Sequence, residues 1–209
     1  MFPLYVDLSG QLCVVIGGGP VGRRKAEKLS NHGAVVRIVS LHEAPPDWTC
    51  PHIDWKVEAY QRHHLFDARL VVAAANPEVN HQVVEDAKAF GVWVNAAEDP
   101  SQGDCLFPST AKHGGINIAV STGGRAPGVA RQVATLLREH VDDAMADWLA
   151  LVAEVRDWLL AKNVAEDRRR EILRDLSQPS WLERIRDKGV AVVRNEVWQI
   201  VFAEFANKM

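Results

Sequence analysis

The chain has 209 residues, enough to bury a core as one large domain or two small ones. Hydrophobic content of 47% and charged content of 24% are those of a globular protein, and a net charge of -3 argues against a general binder of nucleic acid or anionic membrane. Three isolated cysteines fit neither a disulfide framework nor a zinc site, no apolar run has the length of a membrane span, and no basic-then-apolar leader opens the chain, so a reducing cytoplasm is the expected compartment.

In chain order, Phe2 to Leu8 is a short apolar segment expected to lie over a sheet, ending in a turn at 7–10. Leu12 to Ile16 is a β-branched run that drops into Gly17, Gly18 and Gly19 and then into helical spacing. Gly17, Gly19 and Gly22 have G-x-G-x-x-G spacing between strand and helix, the pattern of a dinucleotide-binding βαβ unit. The first glycine permits the tight turn, the second lets the backbone approach a pyrophosphate, and the third lets the helix pack close to the strand. Free N–H groups and the positive end of the helix dipole then face the anion. The bland alternative is a glycine-rich turn that binds nothing. Arg23, Arg24 and Lys25 oppose the helix dipole; they are either solvated or turned toward an anionic ligand.

Ala34 to Ser40 reads as the second strand. An NAD site commonly has an acidic residue at that strand's end, but Ser40, Leu41 and His42 stand there and Glu43 is late, so NAD and NADP are not distinguished. Residues 44–51 are a Pro-rich loop and Ile53 to Ala59 a third strand. His63, His64 and Asp67 lack a third ligand at suitable spacing, so no metal site is expected. Leu70 to Ala75 is a buried parallel strand, Asn76 caps the helix that Pro77 opens and Phe90 closes, and Val92 to Asn95 is the next strand.

Four alternations of strand and helix predict an α/β fold with a Rossmann-like doubly wound parallel sheet. Ligands of such sheets sit beyond the carboxyl ends of the strands, which places the glycine loop, Ser40 to His42, Ala75–Asn76 and Ala96 to Pro100 around one crevice. Glu98 and Asp99 stand there as candidate catalytic carboxylates, or as a polar turn before Pro100. Residues 104–110 and 116–121 are β-rich. Thr122 to Pro127 opens a helix over 128–141 with Arg125 and Arg131 nearby, either a second anion site or a plain helix start. From Asp142 the periodicity is helical, with apolar positions including Leu149, Leu151, Val155, Leu159, Ile172, Leu176 and Ile200, and with Trp148, Trp158, Trp181 and Trp198 as core or interface anchors.

VVIGGGPVGRRKAEKL, AAANPEVN, VNAAEDPSQGDCLFPS and AVSTGGRAPGVARQV together cover residues 1–141 in one order, and in that order the chain resembles the precorrin-2 dehydrogenase and sirohydrochlorin ferrochelatase family, the N-terminal module of siroheme synthases. No methyltransferase module is seen, so the stand-alone form is expected. The resemblance implies a Rossmann domain over 1–112, a small α/β dimerisation segment over 113–150 and a helical domain over 151–209. It implies NAD-dependent oxidation of precorrin-2 to sirohydrochlorin, toward siroheme and in some organisms cobalamin; some relatives also insert ferrous or cobaltous ion. It places cofactor contacts at Gly17, Gly19, Pro20, Val21, Leu41 and His42, with Gly18, Ser40 and Asn76 beside them. The family's functional aspartate falls on Glu98, a departure, with Asp99 next to it. The substrate's carboxylates call for cations and donors, for which Lys112, His113, Thr122, Arg125 and Arg131 are candidates. Homodimers are implied, and no nucleic-acid or membrane partner. The alternative from another class is a non-catalytic NAD(H)-sensing module.

Overall fold

Alternation decides the centre of the sheet: along Leu12–Ile16 (β1), Val14 and Ile16 pack to one side while Cys13 and Val15 pack to the other, all four at most 2% exposed. The computed structural model describes residues 1–50 and 52–206; Pro51, at the end of the expected loop, and 207–209, at the end of the expected helical domain, lie outside the described residues. The chain divides into two compact units, residues 1–107 with 123–125, and 108–122 with 126 onward.

In the first unit β1 is flanked by Val35–Ser40 (β2), Ile53–Val57 (β3), Leu70–Ala73 (β4) and Trp93–Ala96 (β5) in the order β3-β2-β1-β4-β5, every pair parallel. Pro20–Ser30 (α1) buries Ala26 and Leu29 against Cys13, Val15, Val36 and Ile38. Pro77–Phe90 (α2) buries Val83, Val84 and Ala87 on the opposite face, against Val14, Ile16 and Val71. The Rossmann-like sheet expected from the sequence is therefore present, with helices on both faces.

Two details differ. Within this unit, among the described residues, two α-helices pack on the sheet: the connection from β2 to β3 has no helix, and the one from β3 to β4 has a single 3₁₀ turn, Arg62–Leu65. Pro45 and Pro46 deny the first connection the N–H groups a helix needs, and the Trp48 N–H closes a turn on the Pro45 carbonyl instead. The N-terminal segment does not lie over the sheet, since Phe2, Leu4 and Tyr5 are 82%, 65% and 72% exposed. The turn at Gly10 (φ +71°), closed by Gln11 N–H to the Leu8 carbonyl, leaves Leu8 as the residue that packs on the core. Beyond β5, Gly103 to Cys105 run beside the edge strand, with Asp104 N–H donating to the Val94 carbonyl at 2.8 Å, so strand structure begins at Ser109 rather than at Asp104.

The second unit opens with the antiparallel hairpin Ser109–His113 (β6) and Ile116–Val120 (β7), on which Pro127–Glu139 (α3) packs. Asp143–Ala161 (α4), Glu166–Leu176 (α5), Pro179–Lys188 (α6) and Val190–Ala206 (α7) enclose a core of Leu151, Val155, Leu159, Ile172, Ile185 and Val197. The four tryptophans Trp148, Trp158, Trp181 and Trp198 pack around it, whereas Leu149 and Ile200, apolar positions of the same helical periodicity, are 42% and 43% exposed.

Candidate active site at the carboxyl ends of the sheet

Each glycine of the first loop has its own constraint. Gly17 has φ +109°, and a Cβ on it would stand 2.3 Å from the Ala74 carbonyl oxygen; on Gly22 it would stand 2.0 Å from the Gly17 carbonyl oxygen. Gly19 has nothing within 4 Å of its Cβ position, so space is open where a ligand backbone would approach. Behind it α1 starts at Pro20 with no side-chain cap and no acidic residue in its first turn, leaving its leading N–H groups for water or an anion. Val21 is exposed beside the loop. That cradle fits a pyrophosphate. Gly18 is different: a Cβ there would meet the Trp55 ring at 2.5 Å and Ser40 Oγ at 2.8 Å.

Lys25 takes neither course expected of it. Its ammonium turns inward, donating to Asn95 Oδ1 at 2.7 Å and lying 4.5 Å from the Phe107 ring centroid. Burial, with Arg24 adding to it, lowers its pKa. Asn95, 2% exposed, passes the link on by donating to the Cys105 carbonyl at 2.8 Å.

At the end of β2 Ser40 is buried and its Oγ accepts the His42 N–H at 3.3 Å, while Leu41 is exposed. At the end of β4 Asn76 caps α2, accepting the Val79 N–H at 2.9 Å. Asn80 holds both backbone groups of Ala75, accepting from its N–H at 2.8 Å and donating to its carbonyl at 3.0 Å. Sequence reasoning passed over Asn80, although the run AAANPEVN held the signal: a second asparagine one helical turn after the cap.

Past β5, Glu98 and Asp99 border a cavity of about 420 Å³ that Pro77, Asn80, His81 and Gln102 also line. The Asp99 carboxylate accepts the Ser101 hydroxyl at 2.6 Å, Gln102 Nε2 at 2.9 Å and the Ser101 N–H at 3.0 Å. These bonds hold its pKa below the ordinary carboxylate value. Glu98 is exposed and makes no hydrogen bond or ion pair among the described residues. The two neighbouring carboxylates are thus in different situations.

The second glycine turn is split between the units. Gly123 to Arg125 belong with the sheet: both glycines have positive φ (+65° and +81°), and a Cβ on Gly124 would stand 3.3 Å from Pro100 Cγ, beside the Asp99 turn. Arg125 is exposed there. In the other unit Thr122 Oγ1 accepts the Ala126 N–H at 3.1 Å, and Arg131 is exposed on α3. Lys112 is exposed, its carbonyl accepting Arg138 Nε at 3.0 Å. His113 Nε2 lies 2.7 Å from Asp143 Oδ1, so a carboxylate of this chain already engages that imidazole.

His64 is buried at 3% exposure, its Nδ1 accepting the Gln61 N–H at 2.9 Å, which makes it a cap for the 3₁₀ turn. Among the described residues no group of three His, Cys, Asp or Glu could hold a metal, and no helix is long and apolar enough to cross a membrane.

Residues 4–109, which span the whole sheet and the glycine loop, match a family model described as "Putative NAD(P)-binding". The chain belongs to this NAD(P)-binding family. It is also similar to siroheme synthase from Xylella fastidiosa (strain M12), 33% identical over 211 residues, 98% of this chain and 44% of that protein. Siroheme synthase 1 from Aeromonas salmonicida (strain A449) is 30% identical over 210 residues, covering 97% and 44% respectively. The chain therefore spans less than half the length of these relatives. Among solved structures it superposes on SirC, precorrin-2 dehydrogenase, with a TM-score of 0.74 and 22% identity over 97% of this chain and 100% of the other, a likeness of fold.

Proposed function

We propose that this member of the NAD(P)-binding family oxidises precorrin-2 to sirohydrochlorin in siroheme biosynthesis, with NAD as the hydride acceptor. One observation carries the reading: an open glycine loop and an unengaged carboxylate, Glu98, both lie at the carboxyl ends of one parallel sheet. The names of the similar siroheme synthases and of SirC supply the substrate class.

NAD supplies the acceptor for the hydride that leaves the macrocycle. Gly17, Gly18 and Gly19 admit the pyrophosphate against the N-terminus of α1, with Pro20 and Val21 beside it. Ser40, Leu41 and His42 receive the adenosine ribose, and Asn76 holds the start of α2 at the crevice floor. Oxidation also releases a proton, and the Glu98 carboxylate accepts it. Asp99, saturated by Ser101 and Gln102, holds the turn that presents Glu98. Arg125, which belongs to the same unit as Glu98 and is exposed there, takes the substrate's carboxylates.

The segment 113–150, between a Rossmann domain at 1–112 and a helical domain at 151–209, serves dimerisation in this reading. Its support is a stripe on α3, Val129, Val133, Leu136 and Leu137, each 37–57% exposed at helical spacing.

The deciding experiment mixes purified protein with precorrin-2 and NAD without oxygen and follows the sirohydrochlorin absorbance. Formation of sirohydrochlorin with stoichiometric NADH is expected. Intact nucleotide binding without turnover would turn the reading to an NAD(H)-sensing module. Ferrous or cobaltous ion added to sirohydrochlorin tests metal insertion, with the ion as substrate.

A further inference from the structure

We propose that Trp55 is a positioning residue for the adenosine half of the dinucleotide, acting through the turn that follows β2. The inference rests on the NAD(P)-binding reading of the glycine loop and is independent of the tetrapyrrole substrate.

Trp55 pairs in register with Ile38 and lies half-buried on the α1 side of the sheet. From β3 its ring reaches across β2 to the glycine loop, since a Cβ on Gly18 would meet its Cζ2 and Cη2 at 2.5 and 2.6 Å. Its indole Nε1 donates to the His42 carbonyl at 3.0 Å. The His42 N–H is bonded to Ser40 Oγ at 3.3 Å, so both backbone groups of His42 are fixed, one by Ser40 and one by Trp55. Trp55 is itself backed by Trp48, whose ring stands edge-on at a centroid distance of 5.2 Å and whose indole N–H is bound by Glu27 of α1.

This bracing answers a need of this chain. Among the described residues the connection from β2 to β3 lacks a helix that would hold the turn after β2, and Ser40, Leu41 and His42 include no carboxylate to grip a ribose. Ribose binding then depends on the conformation of the turn, and Trp55 sets it while its ring bounds the glycine loop. One side chain ties together the two segments that the adenosine and pyrophosphate contact.

The test compares wild type, Trp55→Phe and Trp55→Ala by calorimetry with NAD, with ADP-ribose and with nicotinamide mononucleotide in turn. Trp55→Phe keeps an aromatic ring on β3 but removes the indole donor that holds the His42 carbonyl and draws the ring edge back from Gly18; the loss is expected to raise Kd for NAD and ADP-ribose about three- to tenfold. Trp55→Ala is expected to raise both further, and neither variant to change the mononucleotide Kd. An unchanged ADP-ribose Kd in Trp55→Phe overturns the proposal, as does equal weakening of both half-ligands, which marks a general structural effect. If Trp55→Ala does not fold, Trp55→Phe alone decides. Wild type that binds neither NAD nor ADP-ribose overturns the NAD(P) reading itself.

Discussion

The carboxylate of Asp99 accepts both the backbone N–H and the hydroxyl of Ser101, at 3.0 and 2.6 Å. With Gln102 on its other oxygen, Asp99 has no free lone pair well placed for a substrate proton, whereas Glu98 beside it is unengaged. Glu98→Gln is therefore expected to lower kcat by about 10²-fold or more while leaving the NAD Kd unchanged, measured by steady-state kinetics and calorimetry. Asp99→Asn is expected to loosen the turn and retain turnover. The reverse ranking would move the proton acceptor to Asp99.

The same bonds set a pH dependence. The folded-state pKa of Asp99 lies below its unfolded value, so its contribution to the turn is fully present above an ordinary aspartate pKa of ~3.9 and is lost as pH falls through the lowered folded value. In acid titrations followed by amide exchange, protection at Ser101 is expected to fall in wild type as pH drops through that lowered value, and in Asp99→Asn to be weaker throughout and to lack that transition.

Gly19 and Gly22 separate binding from folding. A methyl group on Gly19 meets nothing within 4 Å, so Gly19→Ala is expected to keep the wild-type melting temperature while weakening NAD on the order of tenfold by obstructing the pyrophosphate. A methyl group on Gly22 would stand 2.0 Å from the Gly17 carbonyl oxygen, so Gly22→Ala is expected to cost about 1–3 kcal/mol of stability as well as affinity. Thermal melts and NAD titrations of the two variants give the contrast. If Gly19→Ala binds NAD like wild type, the open face is not where the cofactor lies.

What the sequence made legible follows from which constraints are local. The glycine spacing, the apolar runs of β1 and β4 and the Asn76–Pro77 helix start are local, and the strands and α2 form where those signals put them. The sheet then brings the strand ends together by topology alone. What escaped depends on distant partners: Lys25 meets Asn95 seventy residues later, and Gly18 must be small because Trp55 arrives from β3. Asp99 and Glu98 look alike in sequence, and only the folded positions of Ser101 and Gln102 tell them apart.

Asn95 links two segments through the buried interior, accepting from Lys25 and donating to the Cys105 carbonyl. Asn95→Leu fills the space but leaves the Cys105 carbonyl without this donor and the Lys25 ammonium with the Phe107 ring in place of a hydrogen-bond acceptor, and a loss of about 2–3 kcal/mol in urea unfolding is expected. Lys25 carries a second signature. Its folded pKa is lowered, so the folded chain gives up that proton before the unfolded chain does, and stability rises with pH between the lowered value and an ordinary lysine pKa of ~10.4. Burial lowers the Lys28 pKa as well and pushes the Cys13 and Cys105 thiols up to about 11, which opposes the rise, so Lys25→Met is expected to reduce the alkaline slope relative to wild type; an unchanged slope would remove Lys25 as a contributor.

The α3 stripe gives the most direct test of assembly. Val129, Val133, Leu136 and Leu137 recur at intervals of three and four residues, while Ala130 and Ala134 face inward against the hairpin, so an exposed apolar stripe runs along one flank of the buried face of the helix. An isolated chain in water gains nothing by exposing four large aliphatic side chains on one face, whereas pairing of two copies would remove them from solvent. Val133→Asp and Leu136→Asp would place charges within that face without touching Ala130 or Ala134. Sedimentation is expected to give twice the 23.2 kDa chain mass for wild type and a single chain mass for the double variant, with unchanged far-ultraviolet circular dichroism. A wild type that sediments as one chain, or a double variant that still pairs, would remove this face from the dimer and leave the exposed N-terminal residues Phe2, Leu4 and Tyr5 as the next apolar surface to alter.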